Sequence, residues 1–479
     1  MKKIIILSLV FIVSLISCKD LDDLNKDHKK PTEVPPEYLF TYGLESIARQ
    51  MANGSYNYNV DRFWANYLTQ TTYIQECNYD PINRDIGGTI WAVMYANSLI
   101  ELKAAKEIID EQPAAGVLAI QKKNKMAQIS ILEVYAYQYL VDNFGNVPFS
   151  EALDPGNTTP AYDDAATIYA TITANLIDAL NSMDTSEDGF DGVNDKLYNG
   201  DISKWKKFGA SLLLQLGMRI AEYNPSDASS HVSAAVNFGV FDSNDDNASF
   251  GFLATDPYTS PVYDYFVTQS RASDFIATSF FVNMLEDYND PRIVKYYDDN
   301  LGADTYLGGL YGASGNNYND YSHLSTDIYE DPTYPSILLD YSTVCFYMAE
   351  AIERGFTGGD AEAEYLAGIK ASFDFWGIPD ADYDTYVAQG DVAYSSANYI
   401  DKIGMQKYMA LFNQGHQAWT EARRLGVPTL QIADETGTPN PNRMLYPNDE
   451  DLLNEVNYDA ASAAIGGDLL STRIFWDVN

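Results

Sequence analysis

Apolar residues recur every three or four positions through long stretches of this chain, a spacing typical of a helix with one buried face. Stripes of this kind run through 126–139, 205–220 and 338–352. A fourth region, 400–425, predicts one or two more helices with a break near Gly415. Because successive helices of about 15–25 residues are joined by short connections, we expect a mainly α-helical fold of stacked, tetratricopeptide-like helix pairs.

Capping and helix-breaking residues give the expected ends of these helices. The first stripe stops at 143–145, which reads Asn-Phe-Gly, and the third closes at Gly355. In the second stripe we expect Ser203 to be the N-cap and 224–225, an Asn-Pro pair, to end the helix.

Two segments, 239–272 and 298–336, lack the helical spacing and are rich in Gly, Asn, Asp, Ser and Tyr. A loop this long in a compact domain is usually functional or disordered. Five aromatic or imidazole side chains within 306–325 argue against plain disorder. We expect residues 37–479 to form a single helical domain that carries these two segments as insertions.

The beginning of the chain has the pattern of an export signal. Two lysines precede an apolar run over 4–16, which is too short to span a bilayer as a helix. The sequence Leu-Ile-Ser-Cys at 15–18 resembles the bacterial lipobox, whose cysteine is lipid-modified and becomes the first mature residue. We therefore predict a signal peptide over 1–17 and a lipid anchor on Cys18. The alternative is an ordinary signal peptide that happens to contain a cysteine.

The residues after Cys18 indicate where the anchored protein stands. Asp20, Asp22 and Asp23 resemble the surface-export signal of Bacteroidota lipoproteins. The polar stretch 18–36 is expected to act as a tether between the lipid and the folded body. Because lipid chains anchor a protein without spanning the membrane, we expect a protein held in the outer membrane and facing the cell exterior.

The charge of the chain excludes some partners. There are 68 acidic and 30 basic residues, with a formal net charge of −38 at pH 7. Nucleic-acid binding needs clustered Lys and Arg, so we expect no nucleic-acid partner. Neutral or cationic ligands suit such a body, although the acidity can also serve solubility alone.

The motifs of common enzyme classes are absent. The four histidines are far apart in sequence, and no metalloprotease motif, nucleophile elbow or phosphate-binding loop occurs. We therefore predict no catalytic residues. A glycoside hydrolase stays open as an alternative, because it needs only two carboxylates and their spacing in sequence does not reveal a shared cleft.

One acidic turn resembles the start of a calcium loop. Asp242, Asn244 and Asp246 alternate as oxygen ligands do in such loops. The glycine at the sixth position and the glutamate at the twelfth are missing, and Asx-rich turns have the same composition without a metal. Calcium is accordingly the one cofactor candidate, against the alternative of no cofactor.

The two cysteines after Cys18 are far apart. Cys345 lies in an apolar helical stripe and is expected to be a small buried side chain. A disulfide with Cys77 requires spatial proximity that the sequence does not reveal.

Five segments of the chain have recognisable motifs. The first is YLVDNFGNVPFSEAL and the second DISKWKKFGASLLLQLGMRIAE. The third is CFYMAEAIERG, and two more lie near the C-terminus. The five segments are 139–153, 201–222, 345–355, 408–430 and 443–461. In this order they resemble the SusD/RagB-like nutrient-binding outer-membrane lipoproteins, in particular the SusD-like branch. They are mainly structural, so only Cys18 carries over as a functional residue.

The resemblance implies a scaffold of four tetratricopeptide-like units with ligand-binding loops. It implies capture of an oligosaccharide, or sometimes a peptide, and delivery to a SusC-like TonB-dependent transporter. It implies no catalysis, since separate hydrolases cut the polymer. The alternatives are a peptide-binding protein, a transporter lid without ligand affinity of its own, and a glycoside hydrolase.

The candidate ligand residues come from composition. The chain has 37 tyrosines, and a tyrosine offers a flat apolar face that suits sugars as well as core packing. Two regions combine aromatic, amide and turn residues, which are 64–85 and 306–325. We expect rings to stack on sugars there, with amide and guanidinium groups binding the hydroxyls. The candidates are Trp64, Tyr73, Asn78, Tyr79, Arg84, Tyr306, Tyr311, Asn317, Tyr318 and Tyr321.

Overall fold

Helices make up most of the computed structural model, which describes residues 34–479. The mainly α-helical fold class is therefore confirmed. The predicted signal peptide, Cys18 and most of the predicted tether lie outside the described residues. None of the helices in the described part of the chain is long and apolar enough to cross a membrane.

The regular elements are numbered here in chain order. The α-helices are α1 (Pro36–Ala52), α2 (Asp61–Trp64), α3 (Ile86–Ala92), α4 (Ile100–Glu111), α5 (Val117–Phe144), α6 (Ala165–Ser182), α7 (Ile202–Arg219), α8 (Pro225–Phe238), α9 (Pro261–Tyr263), α10 (Ser279–Asp287), α11 (Ile293–Tyr296), α12 (Thr326–Tyr329), α13 (Tyr341–Glu353), α14 (Ala361–Phe375), α15 (Asp380–Val387), α16 (Tyr399–Ala410), α17 (Gly415–Leu425), α18 (Glu450–Leu453) and α19 (Glu455–Ile465). The strands are β1 (Leu68–Gln70), β2 (Val147–Pro148), β3 (Tyr162–Asp163), β4 (Ala248–Phe250), β5 (Phe275–Ala277) and β6 (Ser336–Leu339). Two π-helical segments are Val93–Leu99 and Asp264–Thr268.

Consecutive helices pack as hairpins. The most extensive helix–helix contacts are those of α13 with α14, α7 with α8, and α5 with α6. The strands form three short antiparallel pairs, β1 with β5, β2 with β3 and β4 with β6. The pair β4–β6 joins the segment 239–272 to the end of the segment 298–336. Both segments also contain short helical elements between their loops.

The predicted helix ends are partly right. α5 ends at Phe144, and Gly145 follows with a φ of +80°, which glycine adopts at little cost. Ser203 is not the N-cap of α7, because the side chain of Asp201 accepts the backbone N–H groups of the first turn. Asn224 likewise caps the start of α8 rather than ending α7.

Gly415 separates α16 from α17, as the sequence indicates. It is the first residue of α17, which packs against α2. A Cβ atom at this position would lie 2.6 Å from the backbone nitrogen of Arg62. Only glycine therefore lets α17 approach α2 this closely.

Most tyrosines are packing residues. One large core extends from Phe40 in α1 to Trp476 near the C-terminus, and a second cluster lies between α13, α14 and α16. Rings contact rings throughout the large core; Tyr296, for example, stacks on Phe412 with centroids 4.2 Å apart. Such pairs stabilise a core beyond the area they bury.

Both cysteines of the described chain are free thiols. Cys77 and Cys345 are buried and neither is in a disulfide, so the disulfide alternative is excluded. The expected burial of Cys345 is confirmed. Burial raises the pKa of each thiol, which keeps both protonated and unreactive.

A cluster of charged side chains lies inside the helical core. At its centre, Glu421 of α17 accepts hydrogen bonds from Arg219 of α7, from Lys407 Nζ of α16 at 2.6 Å and from Arg424 Nη2 at 2.8 Å. Although burial would raise the pKa of Glu421, the three cations hold it well below its usual range. Glu421 is therefore ionised and fully paired.

Two further acids extend this cluster to other helices. Arg424 donates to both carboxylate oxygens of Glu350 in α13, at 2.8 and 2.5 Å. Arg219 Nε lies 3.2 Å from Asp142 Oδ2 in α5. The cluster thus links α5, α7, α13, α16 and α17, and each charge has a partner at short range. Removing one member of such a set leaves the others uncompensated in a medium of low dielectric.

We predict that Glu421→Ala lowers the free energy of unfolding by about 3–5 kcal/mol, because three cations lose their common acceptor. The matched control is Glu107→Ala in α4, whose side chain is 66% exposed and lies 3.8 Å from Lys103 Nζ. That change should cost less than about 1 kcal/mol. Urea titration of both variants measures the two losses, and equal losses would contradict a central role for the cluster.

A second buried polar pair lies where α2 meets α17. Asp61 Oδ2 is 3.9 Å from His416 Nδ1, and among residues 34–479 neither side chain has a hydrogen-bond partner. Burial raises the pKa of Asp61 to about 7, against the opposing charges of Arg62 and Arg423. Burial, with Arg219 and Arg423, lowers the pKa of His416 well below its usual range. Both groups are therefore neutral in mildly acidic solution.

This pair predicts a pH dependence of stability. Between pH values of about 4 and 7 the folded chain holds a proton on Asp61 that the unfolded chain has released. This group's contribution to the free energy of unfolding therefore falls as the pH rises through that window. Asp61→Asn lacks the titrating carboxyl group. The free energy of unfolding of this variant minus that of the wild type should therefore increase by about 1–3 kcal/mol from pH 5 to pH 8. Urea titration at each pH measures both free energies of unfolding. If they changed equally with pH in the two proteins, this assignment would be refuted.

Candidate functional site

The pairing of β1 with β5 brings together two loops that are some 200 residues apart in sequence. Leu68 pairs with Ala277 and Gln70 with Phe275. The loop that leaves β1 continues beside the one that enters β5, because Thr71 N donates to Asp274 O at 2.9 Å. The segments 71–75 and 271–274 therefore lie side by side.

An exposed aromatic ring stands where these loops meet. Tyr73 is 52% exposed, and its ring centroid lies 6.3 Å from that of the buried Tyr56. The guanidinium carbon of Arg84 is 5.7 Å from the Tyr73 ring centroid, and that of Arg271 is 5.6 Å away. We call these four residues the Tyr73 platform. It combines a half-exposed ring with two guanidinium groups close to it, an arrangement typical of ligand recognition.

Arg84 of the platform is held by a buried acid. Its Nε donates to Glu76 Oε1 at 2.5 Å, and its Nη1 donates to Asn57 Oδ1 at 3.0 Å. Burial raises the pKa of Glu76, while hydrogen bonds from Gln70 and the charge of Arg84 oppose the rise. The guanidinium is therefore fixed in place and retains further N–H groups for a ligand.

Arg271 is held in a similar way. Its Nη2 donates to the hydroxyl of Tyr56 at 2.6 Å and forms an ion pair with Asp274. Each cation of the platform thus has an acidic partner. The platform combines positioned donors with little net charge, which suits a neutral polar ligand.

The backbone around the platform is strained. Tyr73 has a φ of +52°, and Tyr79 and Asp85 in the same segment have φ values of +59° and +46°. This left-handed conformation costs an ordinary side chain about 1–2 kcal/mol. Clustered outliers of this kind persist where the surrounding structure enforces them, and they concentrate at functional sites.

The structure corrects several predicted ligand residues. Trp64 is fully buried, where its indole N–H donates to Glu76 O at 3.3 Å and its ring contacts Trp419. Tyr79 is 2% exposed and its hydroxyl donates to Gln431 O at 2.6 Å. Both rings are therefore part of the packed core. The buried candidates that offer no open ring face or surface to a ligand are Trp64, Asn78, Tyr79, Tyr306 and Tyr311.

The two predicted regions nevertheless meet in space. Asn78 Nδ2 donates to Gly312 O at 2.8 Å, and the rings of Tyr79 and Tyr311 lie 5.5 Å apart. Asn78 Nδ2 also donates to Ile74 O at 2.9 Å, directly after Tyr73 in the chain. The composition of the two segments thus predicted that they lie together, although it did not distinguish their buried residues from their exposed ones.

The remaining candidates lie on the surface of the second region. Asn317 is exposed, and Tyr318 and Tyr321 are half-buried. Tyr318 stacks on His323 with centroids 3.6 Å apart, so one of its faces is covered. Within the described part of the chain no ring contact or hydrogen bond joins these residues to the Tyr73 platform. Their contact with a ligand stays a prediction.

Two platform residues were missed from the sequence. Tyr56 lies in the stretch Asn-Gly-Ser-Tyr-Asn-Tyr-Asn at 53–59, whose mixture of amide and aromatic residues could have drawn attention to it. Arg271 carries no local signal, because it reaches the platform only through the pairing of β1 with β5.

The acidic turn considered for calcium holds an internal cation instead. Lys207 Nζ donates to Asp242 Oδ2 at 2.9 Å and to Asp246 Oδ2 at 2.8 Å. Asn244 is turned away and donates to Ala371 O at 2.9 Å. Within residues 34–479 there is no cluster of three or more His, Cys, Asp or Glu side chains suited to a metal. We therefore do not propose a calcium site.

The different burial of Tyr73 and Tyr79 predicts that their substitutions affect stability differently. Tyr79→Ala should lower the free energy of unfolding by about 3–5 kcal/mol, because it removes a packed ring and the hydroxyl that bonds Gln431. Tyr73→Ala should change it by less than about 1 kcal/mol, since the ring is half exposed. Chemical denaturation of the two variants side by side measures both values. Similar losses would contradict the division between support and surface.

Comparison with known proteins identifies a family whose model matches this chain. The family model described as "Starch-binding associating with outer membrane", a SusD-like model, matches residues 28–447. A comparison with curated protein sequences gave no match.

Solved structures share the architecture over nearly the whole chain. One, titled a chitin-binding protein, is 26% identical, with a TM-score of 0.81 over 93% of this chain and 100% of that chain. A chitin-binding SusD homologue from Flavobacterium johnsoniae is 24% identical, with a TM-score of 0.79 over 92% and 99% of the two chains. A SusD homologue from Parabacteroides distasonis is 23% identical, with a TM-score of 0.79 over 93% and 97%. With a family model matched over most of its length and the same fold in SusD homologues, the chain belongs to the SusD-like family.

Proposed function

We propose that this protein captures oligosaccharides at the cell surface and that the Tyr73 platform is its sugar-binding site. The observation that carries the proposal is a half-exposed tyrosine ring on a strained backbone, with two guanidinium groups 5.7 and 5.6 Å from its centroid. A sugar ring has an apolar C–H face and a rim of hydroxyls. The tyrosine face suits the first, and the N–H groups of Arg84 and Arg271 suit the second.

The ligand that fits the platform is neutral. Both cations are already paired with acids, and the chain as a whole carries a formal charge of −38. A sulfated or uronic-acid glycan would meet repulsion without a compensating unpaired cation. The names of similar proteins refer to chitin, and the family description refers to starch. Both polymers are neutral, so oligosaccharides of chitin and of starch are the first ligands to test.

The cellular setting follows from the resemblance and from the family. We propose that Cys18 carries the lipid anchor and that the protein faces outward from the outer membrane. There it would pass its oligosaccharide to a SusC-like TonB-dependent transporter. An anchored binding protein beside a transporter raises the local concentration of nutrient at the entrance.

Binding without hydrolysis is the chemistry that the platform supports. A glycoside hydrolase needs one carboxyl group to protonate the leaving oxygen and another to act as base or nucleophile. The nearest acids, Glu76 and Asp274, are buried and serve as partners of Arg84 and Arg271. They orient donors instead of facing a ligand, which favours capture over catalysis.

Calorimetric titration with chitin and starch oligosaccharides tests the proposal. The titrated protein carries residues 19–479, which include the whole described core. We expect saturable binding to one neutral class and no release of reducing ends in the same mixture. Hydrolysis would favour the glycosidase alternative. No binding to any glycan would favour a peptide ligand or a transporter lid without ligand affinity of its own.

A pair of matched variants tests the position of the site. Tyr73→Ala should weaken binding about tenfold, since a stacked aromatic contact contributes on the order of 1 kcal/mol or more. Tyr223→Ala is the control, because that ring is 49% exposed and contacts Phe475 instead of the platform. Equal affinities of the two variants would refute the platform as the binding site.

A further inference from the structure

The exposed tyrosines are not scattered over the surface. Six tyrosines within residues 34–479 are exposed, and three of them, Tyr42, Tyr58 and Tyr258, line a single cleft. Exposed aromatic rings that gather in a concave site indicate ligand binding more strongly than rings spread singly over a surface. We call this site the Tyr258 cleft.

Three parts of the fold form the walls of the Tyr258 cleft. One wall is α1 with the loop 53–58 that follows it, the second is the π-helical segment Val93–Leu99, and the third is the segment 257–269. Together they enclose about 650 Å³, which is within the range of small-ligand sites. The third wall lies in the 239–272 segment, whose composition had indicated a loop with a function.

The one cation among the residues that line the cleft is paired with two acids. Arg49 Nη2 donates to Asp264 Oδ2 at 2.9 Å, and Arg49 Nη1 lies 3.7 Å from Glu45 Oε1. Arg49 Nη1 also donates to Thr259 O at 3.1 Å, which ties α1 to the third wall. The cleft therefore keeps its shape through internal ion pairs, and it has no unpaired basic group that would select an anion.

Amide side chains line the same cleft between the rings. Asn97 and Gln269 come from the second and third walls, and Gln50 comes from α1. Gln50 is 2% exposed, and its Oε1 atom has no hydrogen-bond partner among the described residues. A buried acceptor without a partner is costly unless water or a ligand satisfies it. Rings interleaved with amides form a lining suited to sugar hydroxyls and C–H faces.

The Tyr258 cleft adjoins the Tyr73 platform. Tyr265 lines the cleft, and its ring lies 5.7 Å from that of Tyr56, which belongs to the platform. Asn57, which accepts a hydrogen bond from Arg84, directly precedes Tyr58 in the chain. The buried rings of Tyr56 and Tyr265 thus connect the platform to the cleft.

We propose that the Tyr258 cleft is a second sugar subsite and that the protein binds an extended stretch of a neutral glycan across both surfaces. The inference rests on the proposed function, and it adds a preference for longer oligosaccharides. A short oligosaccharide fills the platform alone, whereas a longer one continues into the cleft and gains a second set of ring and amide contacts. Affinity should therefore rise with chain length.

Calorimetry with N-acetylglucosamine oligosaccharides from the disaccharide to the hexasaccharide tests this inference; glucose oligosaccharides serve instead if they are the class that binds. We expect the hexasaccharide to bind about tenfold more tightly than the disaccharide. Tyr258→Ala should lower the hexasaccharide affinity about five- to tenfold and leave the disaccharide affinity unchanged. Tyr42→Ala, on the opposite wall, should have the same length-dependent effect.

The controls separate this inference from the proposed function. Tyr73→Ala should weaken the short and the long ligand alike, and Tyr223→Ala should weaken neither. If the wild type binds all lengths equally, or if both cleft variants bind the hexasaccharide normally, the second subsite is refuted while capture at the platform stands. If no length binds, the proposed function and the inference fail together. Unchanged thermal midpoints of the cleft variants exclude misfolding as the cause of a loss.

Discussion

The buried ion cluster around Glu421 constrains the whole helical body. Burying charges is costly, and the cost is offset only when every charge meets partners in good geometry. Here the partners come from separate helices, so the cluster is complete only when those helices are packed in one arrangement. Four of the five segments that resemble the family contribute its members, and Lys407 directly precedes the fourth of them. The contributing side chains are Asp142, Arg219, Glu350, Lys407, Glu421 and Arg424. This agrees with the interpretation of those segments as structural.

The rigid body in turn positions the surface that is proposed to bind sugar. Trp64 packs edge-on against Trp419 of α17, and Tyr67 donates its hydroxyl hydrogen to Tyr408 O of α16 at 2.6 Å. The start of the 64–85 segment is therefore anchored to the helices that carry the ion cluster. A loop anchored in this way can keep Tyr73 in a conformation that a free loop would leave, because the packed neighbours oppose relaxation. The helical scaffold therefore fixes the positions of the platform side chains.

The sequence predicted the helices and part of the segment that carries the proposed platform, but it did not predict which side chains are exposed there. The 3.6-residue period predicted α5, α7, α13 and the break between α16 and α17, because burial of one helix face is a local property of the sequence. The choice between Tyr73 and Tyr79 is not local. Tyr79 is the buried ring, and its hydroxyl bonds to residues more than 350 positions away in the chain, which are Gln431 and Asn440. Arg271 reaches the site through strand pairing, which no pattern near position 271 reveals.

A crystal structure of residues 19–479 with the tightest-binding neutral oligosaccharide would test the central claim most directly. The account predicts one sugar ring on the open face of Tyr73, with hydroxyls within hydrogen-bond distance of Arg84 and Arg271. Glu76 and Asp274 should keep their present partners, and the glycan should remain uncut. A sugar bound elsewhere on the surface, with the Tyr73 ring left in solvent, would contradict the account.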